Sequence, residues 1–92
     1  MHRSVSIEAR RLIEDATGIP PSHVAISCVH THSPASALGD NRYTSEQTLD
    51  DYQKFVARRI PDGVRPAINN LLPREIAFGT APQPDHAHHR RW

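Results

Sequence analysis

Two periods run through the apolar positions of this chain. From Val5 to Ala16 the period is helical: Val5, Ala9, Leu12 and Ala16 recur at i, i+4, i+7 and i+11, and Ile13 widens the stripe. Ser4 or Ser6 is placed to cap the start, and Gly18 followed by Pro20-Pro21 ends the helix. Arg10 and Arg11 fall on the opposite side, as a solvated face. The period then shortens. Val24-Ala25-Ile26-Ser27-Cys28-Val29 is a brief β-prone run between Pro20-Pro21 and Pro34, which predicts a buried strand.

Residues 33–43 have no period, and Pro34, Gly39 and Asp40-Asn41 are turn formers, so a loop is expected there. A second helix is predicted from about Ser45, with Thr44 and Gln47 as a capping box. Leu49, Tyr52, Val56, Ile60, Val64, Ala67 and Leu71 keep a spacing of three or four. Pro61 interrupts the backbone ladder within that stripe, which predicts a kinked helix or two abutting ones, and Pro73 closes it. Glu75 to Thr80 reads as a second strand with Ile76 and Phe78 on one face. The expected order is helix, strand, long helix, strand. It implies an α/β fold, a partial α/β sandwich with the two strands parallel across the long helix. Two strands make no stable sheet alone, so the pattern reads as a fragment of a larger catalytic domain.

Composition narrows the function classes. Ninety-two residues hold one small domain, and an apolar fraction of 37% with eight prolines is lean for a core. The net charge of +1 gives no footprint for nucleic acid. No run approaches the length of a membrane span, and Met1-His2-Arg3-Ser4 lacks a signal-peptide core. The single cysteine, Cys28, excludes an internal disulfide, and its mid-strand position predicts a small buried hydrophobe. The anomaly is histidine. Seven are present, five of them grouped at His30/His32 and at His86/His88/His89.

His30 and His32 are two apart at the end of the first predicted strand, so continued strand geometry would aim both imidazoles the same way. Such a pair can share a metal, or one ring can bind metal while the other meets substrate. The irregular loop that follows is where a substrate-facing segment would lie.

Ile26-Ser27-Cys28-Val29-His30-Thr31-His32-Ser33 resembles the neutral/alkaline (non-lysosomal) ceramidase family, whose members carry a strand running into a Thr-His-Thr-His-Ser-Gly-Pro-type motif. The similarity extends to a helix end at Thr17-Gly18-Ile19-Pro20, the long helix, Pro73, Ile76 and Gly79, and an arginine-bearing element at His89-Arg90-Arg91. It is nearest to the ceramidase-like hydrolases of bacteria. The resemblance implies that His30 is a zinc ligand, that His32 contacts the reacting part of the substrate, and that Arg90 lines the active site. It also implies hydrolysis of an N-acyl sphingoid amide, a lipid-like substrate, at a zinc ion.

Two departures are visible: Ser33-Pro34-Ala35-Ser36 stands where the family has Ser-Gly-Pro-Gly, and His89 stands where it has asparagine. The family draws its remaining zinc ligands, a His, a Glu and a Tyr, from segments much later in a longer chain. The 92 residues are therefore expected to be the N-terminal portion of a catalytic domain, needing the remainder of that domain and inactive in isolation. Family members are commonly secreted or periplasmic. The alternative expectation is a stand-alone histidine-rich metal-binding module in which His86, His88 and His89 join His30 and His32.

Overall fold

The computed structural model describes residues 1–83 and 85. Helix α1 spans Arg3–Thr17, a 3₁₀ turn spans Pro21–His23, and helix α2 spans Asp51–Asn69. The two helices pack on each other around Val5, Ala9 and Ala57, and Met1, Leu12, Ile26, Leu49, Val56 and Ile60 close over that centre.

The helical period of α1 is realised as read. Val5, Ala9 and Ile13 form its buried line. Its N-terminus is capped from two residues before the nearer expected cap, Ser4: the Nδ1 of His2 accepts from the backbone N–H of Ser4 at 3.1 Å. Gly18 ends the helix in the left-handed region, φ 75°, and its N–H donates to the carbonyl of Glu14 at 2.8 Å. Arg11 is exposed as expected and forks onto Glu8 and Asp15. Arg10 differs from expectation, since its Nε is buried without a hydrogen-bond partner among the described residues.

Helix α2 begins at Asp51, later than the expected Ser45. The groups proposed for the earlier cap are engaged elsewhere. Thr44 Oγ1 donates to the carbonyl of Asn41 at 2.9 Å, and Gln47 Nε2 donates to the carbonyl of Leu38 at 2.7 Å. Asp50 and Gln53 make the capping box instead: the Asp50 carboxylate accepts from the Gln53 N–H at 2.7 Å, and the Asp50 N–H donates to Gln53 Oε1 at 3.0 Å. The buried line is Gln53, Ala57 and Pro61, with Val56, Ile60 and Val64 half-buried beside it. Tyr52, Ala67 and Leu71, expected on the core stripe, are exposed. Pro61 and Pro66 both lie inside one continuous helix, so of the two expected outcomes, a kinked helix or two abutting ones, the second does not occur.

The α/β reading is overturned. Among the described residues the chain is all-helical, with two helices and no strand or sheet. A strand exists through its ladder to a neighbour, and neither predicted strand has one. The first keeps half of its expected character: Val24 is extended (φ −110°, ψ 115°), and half-buried Val24 and Ile26 alternate with exposed Ala25 and Ser27. Its end leaves the core altogether, with Val29 82% exposed and Cys28 exposed rather than buried. In the second, Ile76 is 82% and Phe78 96% exposed, so the expected apolar face covers nothing.

Residues 24–50 thus form a long irregular connection, held by side chains in place of a sheet. The Ala37 carbonyl accepts from the His2 N–H at 2.8 Å and from Gln53 Nε2 at 3.3 Å. His2 Nε2 meets the Thr44 carbonyl at 2.9 Å, and the Gln47 N–H donates to Ser4 Oγ at 3.1 Å. These bonds join the start of α1, the loop and the first turns of α2 in one buried polar knot.

Candidate metal centre

His30 and His32 come together, by a route the sequence does not predict. The Thr31 N–H donates to the Val29 carbonyl at 3.0 Å, a three-residue turn centred on His30. Among the described residues positive φ is confined to Gly18 and Gly39, so the turn is of the inverse γ kind. Bends follow from His32 to Pro34. Strand geometry therefore ends at the first histidine, and the turn brings the rings to a centroid separation of 4.6 Å at a 60° tilt. Both histidines are exposed.

A groove of about 560 Å³ opens beside the pair. His30, Cys28 and Val29 form one wall, Pro34 to Leu38 of the loop another, and Tyr52 and Val56 of α2 the base. The loop after the histidines thus lines the groove, and the Ala37 and Leu38 carbonyls that fix its shape are held by Gln53 and Gln47. Tyr52 is a groove residue that the periodic reading assigned to the core. Its 42% exposure is the mark of that difference.

The donor set fits part of a zinc shell. Two neutral imidazoles on one tetrahedral zinc, each at about 2.0–2.1 Å, have ring centroids roughly 5 Å apart, close to the 4.6 Å seen here. Zinc prefers four ligands in structural sites and three protein ligands in catalytic ones. Among the described residues no group of three or more His, Cys, Asp or Glu side chains is gathered, so the pair alone is not a complete shell. Arg90, expected to line the site, and His86, His88 and His89, expected in the alternative metal module, lie outside the described residues.

The groups with displaced ionisation lie away from this groove. The Glu8 carboxyl is held below the usual carboxylate value by its hydrogen bond from Arg11, against a smaller opposing effect of burial, with the Arg11 and Arg58 charges adding to the lowering. Arg11 is held above its usual value first by the same hydrogen bond to Glu8. None of the described helices is long and apolar enough to cross a membrane. Comparison with protein-family models, curated proteins and solved structures finds no match to this chain.

Proposed function

We propose that this chain carries part of the active site of a zinc-dependent hydrolase that cleaves an amide bond in a lipid-like N-acyl substrate, as the ceramidase-like motif implies. The observation that supports the reading is the His30–His32 pair, two exposed imidazoles with ring centroids 4.6 Å apart, of which His30 lines a groove. His30 holds the metal through a neutral ring nitrogen. His32, on the next bend, faces the reacting amide and offers it a hydrogen bond. Zinc, when bound, supplies Lewis acidity that lowers the pKa of water and polarises a carbonyl.

Val29, Pro34, Leu38 and Val56 give the groove an apolar lining for the aliphatic part of such a substrate. Arg90 serves the polar end of the pocket, as the resemblance implies. The remaining ligands come from outside the described residues, from the remainder of a larger catalytic domain, and the 92 residues alone are inactive.

The test is turnover and zinc content of the polypeptide expressed from the native gene, assayed with a fluorogenic N-acyl sphingosine amide. The reading expects zinc-dependent hydrolysis that His30→Ala abolishes together with bound zinc. Undiminished turnover in His30→Ala overturns it, and so does a zinc-saturated wild type that hydrolyses no N-acyl amide.

A further inference from the structure

We infer that His2 is a pH-sensitive latch. Its neutral ring holds the groove-lining loop against the start of α1, and gaining a proton releases that wall while the two helices stay packed. The inference stands on the buried polar knot and is independent of the zinc role of His30.

His2 is 4% exposed and bonded on three sides. Its backbone N–H donates to the Ala37 carbonyl at 2.8 Å, and its Nδ1 accepts from the Ser4 N–H at 3.1 Å. Its Nε2 meets the Thr44 carbonyl at 2.9 Å. The neighbouring Met1 and the loop residues Pro34 to Leu38 line the groove beside His30. One ring thus fixes the start of α1 and the loop wall of the groove together.

A second proton on the ring is opposed by three effects. An imidazolium has donors at both nitrogens and no acceptor, so the Nδ1 proton would face the Ser4 N–H and the cap bond would be lost. The added charge would sit at the N-terminus of α1, the positive end of its dipole. It would also be buried. The Thr44 carbonyl accepts from the Nε2 proton in either state, so it does not separate them.

Charged groups flank each of these contacts: the Met1 amino group and Arg3 beside the ring, Asp40, Arg42 and Glu46 in the loop, and Asp50 at the start of α2. Among the described residues the ring forms no ion pair with any of them. The Asp50 carboxylate is taken by the Gln53 N–H. The three effects therefore have one sign. The released form takes the extra proton and the latched form does not, so release is favoured as pH falls through the range where imidazole titrates, about 6.5 in an unconstrained chain.

The helices are built to outlast the release. Their contact around Val5, Ala9 and Ala57 and the Asp50–Gln53 box contain no part of His2. Gln47 and Gln53 still hold the Leu38 and Ala37 carbonyls from the α2 side. The Gln47 N–H bond to Ser4 Oγ lies next to the lost cap and loosens with it. The loop stays tied to α2 and swings free of α1, which widens the groove.

NMR of the isotope-labelled full chain, titrated through the imidazole range, tests the inference. The Ser4, Thr44 and Gln47 amide signals should follow the His2 ring signals in one common step, and the ring's contact with Thr44 should be lost. The Ala9 and Ala57 signals should stay in place, and so should the helical dichroism. The Glu8 carboxyl titrates below 4.5 and does not enter this window. In His2→Asn, which keeps an acceptor for the cap but cannot titrate, the step should vanish. His2→Gln, with an amide in place of the ring, should abolish it as well.

A His2 ring that takes its proton while the Ser4 and Thr44 signals and the Thr44 contact persist overturns the latch. A step that survives in either variant assigns the change to another group and overturns it too. Unfolding of both helices in the same step, or failure of both variants to fold, would show His2 to be needed for the whole fold, which also overturns a switch confined to the loop.

Discussion

His2 shows how much one side chain can carry in a chain this lean. Its Nδ1 accepts from the Ser4 N–H and its Nε2 faces the Thr44 carbonyl, so the ring must be the neutral tautomer with the proton on Nε2. Long-range nitrogen–proton correlation spectra should show that tautomer for His2, and a proton on Nδ1 instead would contradict the cap. Gly39 is the second such position. Its φ is 70°, and a Cβ there would stand 2.5 Å from Gln47 Nε2 and 2.6 Å from Gln53 Nε2, both engaged with loop carbonyls. Gly18 has a similar φ of 75° but open space around it. Gly39→Ala should therefore destabilise more than Gly18→Ala in urea unfolding. Backbone strain of order 1–2 kcal/mol is common to both, and only Gly39→Ala also disturbs the knot. Equal losses would show that the Gln contacts contribute nothing.

Glu8 gives a pH dependence of defined sign. Its folded-state carboxyl is lowered, chiefly by the Arg11 hydrogen bond, so its stabilisation is present above the ordinary value of 4.5 and is lost as pH falls through the lower folded value. Glu8→Gln should be less stable than wild type at neutral pH, by a small margin for so exposed a pair, and the gap should close in acid. A gap that widens in acid would reverse the assignment.

Among the elements, α1 was legible because every part of its signal is local: a 3.6-residue stripe, a capping residue and a glycine followed by prolines. The body of α2 was legible for the same reason, but its start and its buried face were not. Gln53 is polar and joins no apolar stripe, yet it is fully buried because the capping box and the Ala37 carbonyl satisfy its amide. That shifts the helix face and leaves Tyr52 on the groove. Thr44 and Gln47 are as good a capping box in sequence as Asp50 and Gln53. What separates them is contact with Asn41 and Leu38, a tertiary matter. The two strands failed for a related reason. A two-residue period marks a half-buried extended segment, as at Val24 and Ile26, but does not provide a neighbour to pair with. The γ turn at His30 is likewise invisible to residue type, and the pairing of the rings was reached from a strand geometry that stops one residue too soon.

Asp50→Ala should cost about 1 kcal/mol through the lost cap, and Gln53→Ala more, since it removes the side-chain acceptor for the Asp50 N–H and the bond to Ala37 together. Comparable losses in the two variants would separate Gln53 from the knot. Pro66 is exposed inside α2 and leaves a carbonyl of the preceding turn without its helical donor. Pro66→Ala should raise stability, by as much as about 3 kcal/mol on intrinsic propensity; a loss would mean that the ring packs where the helix needs it.

At the scale of the whole molecule the dominant fact is how little is buried. Among the described residues the buried apolar ones are Val5, Ala9, Ile13, Ala37 and Ala57, three of the five being alanine, while Leu71, Leu72, Ile76 and Phe78 stand in solvent. Ile13 is the largest fully buried side chain. Ile13→Ala removes about 2–5 kcal/mol, a large share of what so small a core supplies, and should abolish cooperative thermal unfolding. A sharp transition retained in that variant would mean that the stability resides elsewhere.

The central claim is that His30 holds a metal ion with His32 beside it at the reacting group. The most direct measurement follows the ring nitrogens of all the histidines by NMR as zinc is titrated into the full chain. The account predicts that the His30 and His32 ring signals move together and first, while those of His2 and His23 stay in place. Zinc-dependent shifts confined to His86, His88 and His89, with His30 and His32 unmoved, would contradict it.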